Sequence, residues 1–151
     1  MSLDTLVQDA LAVIPTTAHA IDNLYGPTLV DNGTLTVYLA ASCSCCRNGA
    51  MQAALSSYWG VNDIHNACYH ISATPKPTAN RAILCATILA LQAAAQRPEK
   101  HLLLYTSSEY LIHSFCFWAA DNAEHAWDCA HSDVIKVAIS LLRSCIAPVE
   151  F

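Results

Sequence analysis

The order of strand-like and helix-like segments constrains the fold of this chain more than any other feature. The run Thr34-Leu-Thr-Val-Tyr-Leu-Ala-Ala41 is rich in apolar and β-branched residues, which predicts a buried strand. Gln52–Tyr58 and Asn66–Ser72 are two further strand candidates, and a turn at Gly60-Val-Asn-Asp63 separates them. Because short connections favour antiparallel neighbours, we expect these three strands to form an antiparallel meander.

The next segment has the composition of a long helix bounded by prolines. Thr74-Pro-Lys-Pro77 interrupts the strand pattern, and a strongly apolar helix is predicted to begin at Thr78 or Asn80. This helix continues to about Gln96 and is stopped by Pro98, because proline lacks the N–H that a helix interior requires.

The last third of the chain alternates strand and helix. His101–Thr106 is apolar on both faces, as expected of a central parallel strand. Ser107–Trp118 and His131–Ser144 are predicted helices, and 147–151 is predicted to be a final short strand. The order predicts an α/β domain with a five-stranded mixed sheet, three antiparallel strands followed by parallel ones, flanked by helices.

Residues 1–33 are predicted to form an N-terminal amphipathic helix and a linker. Pro15 closes the helix and Gly26-Pro27 marks the linker, so that 34–151 forms the α/β domain of a chain that is a single globular unit overall. No apolar run reaches the length that a membrane span needs, and we expect no signal peptide. The apolar positions at helical spacing are Leu3, Leu6, Val7, Ala10, Leu11 and Ile14.

Charge argues against a surface built for nucleic acid. The chain carries a formal charge of −5 and has seven lysines and arginines, which are spread without a cluster. A binder of phosphate backbones normally has a basic patch. We therefore expect nucleic-acid binding to be weak or absent.

Eight cysteines in a chain without a secretory signal predict reduced thiols and an intracellular location, cytoplasmic or nuclear. Four of them lie in apolar helical patterns, where cysteine usually packs as a small hydrophobic residue: Cys85, Cys116, Cys129 and Cys145. A zinc site is an alternative for the others, with Cys43, Cys46, His65 and Cys68 as candidate ligands. Their spacing does not form matched pairs of ligands, so we expect no metal there.

Several local phrases, in the same order and at similar separations, resemble the ribonuclease H family, particularly its divergent fungal forms. The resemblance covers residues 34–151. Its phrases are Thr36-Val-Tyr-Leu-Ala-Ala-Ser-Cys43 with Asn48-Gly49, Tyr58-Trp-Gly-Val-Asn-Asp63 with His65-Asn-Ala67, Thr78-Ala-Asn-Arg-Ala-Ile-Leu-Cys-Ala86, Leu103-Leu-Tyr-Thr-Ser-Ser-Glu-Tyr110, and Asp133-Val-Ile-Lys with Leu141-Leu-Arg143.

The resemblance implies a catalytic site that this chain has lost. The family uses several carboxylates on two divalent metals to hydrolyse the RNA strand of an RNA–DNA hybrid. At the matching positions this chain has Ala40, Ile83 and Ser107. The fourth carboxylate lies in a helix beyond the final strand, so we expect a C-terminally shortened domain without it. Glu109 is the nearest acid, and its expected role is to interact with a helix dipole.

Three residues match family positions that touch the hybrid's backbone: Asn48, Asn80 and Arg81. The alternative roles for them are a turn residue, a helix cap and a solvent-exposed arginine. Ser114–Ser132 contains no lysine or arginine, although many family members have a basic segment there that grips the hybrid.

Two hypotheses follow. The first is a catalytically inactive relative that acts as a protein-interaction or structural module, with a protein partner or a second copy. The second is a divergent ribonuclease H or hybrid binder, completed by a partner that supplies carboxylates; only this one would need Mg²⁺ and would act as a metal-dependent endoribonuclease.

Overall fold

A computed structural model describes residues 33–71, 77–97 and 100–151 of the chain. The predicted N-terminal helix with most of its linker, the break at residues 74–76 and Pro98 lie outside these ranges. The described part contains five strands and four helices: β1 (Thr34–Cys45), β2 (Met51–Tyr58), β3 (Ala67–Ile71), α1 (Ala79–Ala94), β4 (His101–Thr106), α2 (Glu109–Cys116), α3 (Ala119–Glu124), α4 (Ser132–Ser144) and β5 (Val149–Glu150).

The five strands form one mixed sheet in the order β3-β2-β1-β4-β5. β1 and β2 pair antiparallel, as do β2 and β3, which confirms the predicted meander. β4 pairs parallel with β1 on one side and with β5 on the other. The strand beginning at Thr34 is therefore central, and the predicted fold class is confirmed.

Alternation along β1 gives the sheet two different faces. Val37 and Leu39 are buried beneath the helices, and we call this side the inner face. Tyr38 and Ala40, which alternate with them, are exposed on the outer face. Successive side chains of a strand point to opposite sides, so the register assigns every paired residue to one face.

α1 supplies the largest part of the core. Thr78 caps this helix, because its Oγ1 accepts a hydrogen bond from the Arg81 N–H at 3.1 Å. Along the buried side, small alanines bring the helix close to β1 and β2, and Thr87 satisfies its buried hydroxyl by donating to the Ile83 carbonyl at 2.9 Å. The buried residues of α1 are Ala82, Ile83, Leu84, Ala86, Thr87, Ala90, Leu91 and Ala94.

Two predicted boundaries are wrong. β1 does not end at Ala41 but continues to Cys45, because the residues from Ser42 onward keep pairing with the start of β2. The predicted helix Ser107–Trp118 is shorter in the structure, where α2 spans Glu109–Cys116, and α3 lies beyond the predicted range and was not expected. The N–H groups of Phe117 and Trp118 both bond to the His113 carbonyl, which ends the regular ladder of α2.

Among the helices that the structure describes, none has the length and apolar character that crossing a membrane would require.

Candidate functional site

Ala40, Ile83 and Ser107, the three positions that the sequence singled out, meet at one place. Leu39 pairs with Thr106 across the parallel strands, so the next residues, Ala40 and Ser107, follow the same end of the β1–β4 pair. Ile83 approaches from the first turns of α1. All three line a hollow of about 230 Å³ together with Leu39, Ala41, Ala79, Asn80, Thr106 and Ser108.

The lining of this hollow is uncharged. Ile83 is only 3% exposed and belongs to the core cluster, so its position offers an alkyl group to the core and no ligand. Two of the hydroxyls already accept local backbone hydrogen bonds, Thr106 from the Ser108 N–H at 3.0 Å and Ser108 from the Leu111 N–H at 3.2 Å. Mg²⁺ is held by carboxylate and water oxygens, so this lining offers it no anionic ligand.

Glu109 is the first residue of α2 and does not line the hollow. Ser108 caps that helix, and Glu109 lies exposed in its first turn, where a negative charge interacts favourably with the helix dipole. This is the role that the sequence predicted for it.

Asn80 and Asn48 have different local roles. The predicted cap at Asn80 is wrong: Thr78 is the cap, and Asn80 lies inside the first turn of α1, exposed at the rim of the hollow. Asn48 is a turn residue as predicted, because its Oδ1 accepts a hydrogen bond from the Ala50 N–H at 3.0 Å between β1 and β2.

Arg81 is not the solvent-exposed arginine that was expected. Its guanidinium donates two hydrogen bonds to the Asp133 carboxylate, Nη1 to Oδ1 at 3.1 Å and Nη2 to Oδ2 at 2.7 Å. These hydrogen bonds lower the pKa of Asp133 to about 2 and raise the pKa of Arg81. The pair joins the first turns of α1 and α4, and no sequence signal links two residues so far apart in the chain.

The four zinc candidates are not brought together. Cys43 lies on the inner face, where its Sγ donates to the Pro77 carbonyl at 3.5 Å, whereas Cys68 pairs with Ser56 on the outer face. The Nδ1 atom of His65 is hydrogen-bonded to Asp63 Oδ1 at 2.9 Å, and hydrogen bonds from the His65 backbone and ring lower the pKa of that carboxyl. Across the described ranges no three His, Cys, Asp or Glu side chains form a group that could hold a metal ion.

All eight cysteines are free thiols. Cys85 and Cys145 are partly buried, and burial raises the pKa of both thiols, which favours the unreactive protonated form. The prediction that Cys116 packs as a buried residue is wrong, because it is exposed at the end of α2.

Solved structures with the same arrangement share the fold with this chain at low identity. One is the foamy viral protease–reverse transcriptase in complex with dsDNA, at 15% identity and a TM-score of 0.58 over 80% of this chain and 81% of that chain. Another is native prototype foamy virus protease–reverse transcriptase, at 16% and 0.56 over 80% and 17%. A third is the solution structure of the PFV RNase H domain, at 14% and 0.53 over 78% and 79%.

The sheet order and these similarities define a ribonuclease H-like fold. The family model of RNase H matches residues 32–150, so the chain belongs to the RNase H family. No curated protein matches the chain.

Proposed function

We propose that this chain is a non-catalytic member of the RNase H family that acts as a protein-interaction or structural module. The observation that carries the proposal is the hollow where Ala40, Ile83 and Ser107 meet, whose lining includes no carboxylate. Two-metal hydrolysis of a phosphodiester depends on acidic ligands that fix the ions and stabilise the attacking and leaving oxygens. We therefore propose that the chain takes no metal cofactor.

Charge around the hollow supports the same proposal. Arg81, the nearest basic side chain in sequence, is held by Asp133 and is not available to a phosphate. The segment that includes α3 carries exposed Asp121, Glu124 and Asp128, and these repel a polyanion. We expect hybrid affinity to be weak even at low salt.

The alternative is a divergent nuclease or hybrid binder that a partner completes with its own carboxylates and Mg²⁺. Family membership is the only support for this alternative, and a shared fold does not by itself establish a shared activity. The two proposals differ in what the isolated chain does, and a cleavage assay separates them.

We expect the purified chain to leave a labelled RNA–DNA hybrid uncut in Mg²⁺ or Mn²⁺, measured on a denaturing gel beside an active ribonuclease H. Metal-dependent cleavage that stays with the protein through successive purification steps would overturn the proposal. Cleavage that appears only after a cell extract is added would favour the partner-completed nuclease.

The variant Ala40→Asp/Ser107→Asp tests the assignment of the hollow. It restores two carboxylates at exposed positions and leaves buried Ile83 untouched, so the fold should survive. We expect Mn²⁺ binding by calorimetry in this variant, and none in the matched control Ala40→Asn/Ser107→Asn. Equal binding by both variants would show that the hollow is not the former metal site.

We also propose an intracellular location. The eight free thiols support it, because a reducing compartment keeps cysteines in this form.

A further inference from the structure

Three tyrosines form a row across the outer face of the sheet. Tyr38 of β1 is paired in register with Tyr58 of β2 on one side and with Tyr105 of β4 on the other. The rings of Tyr38 and Tyr105 are stacked, with centroids 5.2 Å apart and planes at 14°, and the ring of Tyr58 is tilted at 6.4 Å from Tyr38. Each side chain remains about half exposed, so that among the described residues the three rings form a continuous, uncovered aromatic ridge.

A second hollow, distinct from the one that Ile83 and Ser107 line, lies directly beside this ridge. The next rows along the sheet pair Ala40 with Ser56 and Ser42 with Ala54, all with small side chains. They form the floor of a depression of about 150 Å³, which Cys68 of β3 borders. We call the ridge and the hollow together the tyrosine face.

The tyrosine face is also nearly free of charge. The outward positions of the five strands contain no lysine or arginine, and their one carboxylate is Glu150 on the edge strand β5. The chain as a whole has a formal charge of −5, so its negative charge lies elsewhere on the surface. The cores of protein interfaces are likewise depleted in charge and enriched in tyrosine.

We propose that the tyrosine face is where two copies of this chain associate about a twofold axis. A twofold interface must be self-complementary, and a ridge beside a hollow meets that condition because a depression of about 150 Å³ can receive one ring from the other copy's ridge. Two chains of charge −5 repel each other, and they approach at the lowest electrostatic cost through an uncharged surface. Single-stranded nucleic acid also stacks on aromatic rows, but it requires cations that this face does not carry.

The size of the face sets the expected strength. Five strands about 4.8 Å apart, with about 3.3 Å per residue along each, give a face of roughly 500 Å². A stable interface buries about 800 Å² on each partner, and smaller ones belong to weak complexes. We therefore expect a reversible dimer with a dissociation constant on the order of 10 to 100 µM, in the range of transient associations.

The test is the mass of the full chain in solution across concentration, by sedimentation equilibrium. We expect the mass to rise from 16.3 kDa toward twice that value. Tyr105→Ser should weaken association by about tenfold or more, because it removes an aromatic anchor from the interface. The matched control is Tyr69→Ser: Tyr69 is 54% exposed against 51% for Tyr105, but it pairs with Leu55 on the inner face.

A second variant tests the hollow independently of the tyrosines. Ala54→Arg fills the depression and adds like charges across the twofold axis, and we expect it to abolish association while thermal unfolding stays close to that of the unmodified chain. A chain that stays monomeric at about 500 µM, well above the expected dissociation constant, would overturn the proposal. So would equal weakening by Tyr69→Ser and Tyr105→Ser.

The same variant distinguishes two other occupants of the face, another part of the same chain and a nucleic acid. A Tyr105→Ser variant that lowers the unfolding temperature without any change in mass would show that the face is covered within one chain. Saturable quenching of tyrosine fluorescence by oligo(dT), lost in Tyr105→Ser, would show that it binds nucleic acid. Either result overturns the dimer. The inference rests on the proposed interaction role, but its readout is mass, so its failure leaves the cleavage assay's result on catalysis unchanged.

Discussion

At the residue scale, the Arg81–Asp133 pair joins the first turns of α1 and α4. The two parallel hydrogen bonds form the fork that arginine makes with a carboxylate, and this geometry fixes the guanidinium more firmly than one contact would. Arg81 therefore contributes to the attachment of α4 to α1.

This pair predicts a change in stability at acid pH. The pKa of Asp133 is lowered in the folded chain from 3.8 to about 2, so the ionised carboxylate stabilises the fold above pH 4 and that contribution is lost as pH falls toward 2. Asp133 is 65% exposed, so solvent screening limits the contribution to under about 1 kcal/mol. The free energy of unfolding by urea, measured between pH 2 and 7, should fall less steeply in Asp133→Asn.

A double-mutant cycle with Arg81→Gln supplies the control. The coupling between the two substitutions should be full at pH 7, largely lost at pH 2, and weaker in high salt. A coupling that does not change with pH would mean that the hydrogen bonds, and not the charge, stabilise the contact.

The sequence predicted some of these residues and not others, for a physical reason. Ala40, Ile83 and Ser107 were found because each lies in a local phrase that resembles the family, and the structure brings them together. Asp133 as the partner of Arg81 depends on packing between helices 52 residues apart in the chain. The row of tyrosines depends on strand register, which the spacing of residues along one chain does not reveal.

At the scale of elements, the hydrogen bond of the Thr78 cap determines where α1 begins. We expect Thr78→Ala to lower the free energy of unfolding by about 1 kcal/mol, because the Arg81 N–H loses its acceptor. Asn80→Ala, two residues further on, should change it by a few tenths of a kcal/mol at most. Urea denaturation of both variants tests the assignment, and a larger loss from Asn80→Ala would show that Asn80 is the cap after all.

Element types were easier to predict than element limits. The proline-bounded helix and the apolar strand His101–Thr106 were predicted from local composition. The predicted limits of the strand agree with the structure. Helix α3 was not predicted, because its sequence Ala-Ala-Asp-Asn-Ala-Glu has no apolar periodicity. The end of α2 was predicted two residues too late. It is decided by the two N–H groups that share the His113 carbonyl, a detail of geometry and not of composition.

At the scale of the whole molecule, the helices that the structure describes cover the two faces of the sheet unequally. Every large residue in the core cluster faces the helices, while the tyrosine face carries half-exposed rings on three neighbouring strands. The largest apolar patch on a protein of this size often has a function. The hollow lined by Ile83 and Ser107 and the tyrosine face share Ala40, so the two surfaces adjoin each other.

From the position of β4 between β1 and β5 we also predict the order in which the strands join the sheet. β1 meets β2 through a short turn, but its pairing of Thr34 with His101 closes a loop of 67 residues, and such long-range pairing is slow to form. We expect Ala53→Gly in β2 to slow refolding and Val149→Ala in β5 mainly to speed unfolding, followed by tryptophan fluorescence in a stopped-flow instrument. The reverse pattern would place β5 in the nucleus. We expect β5, which pairs through only two residues at the edge of the sheet, to join the sheet last and to leave it first.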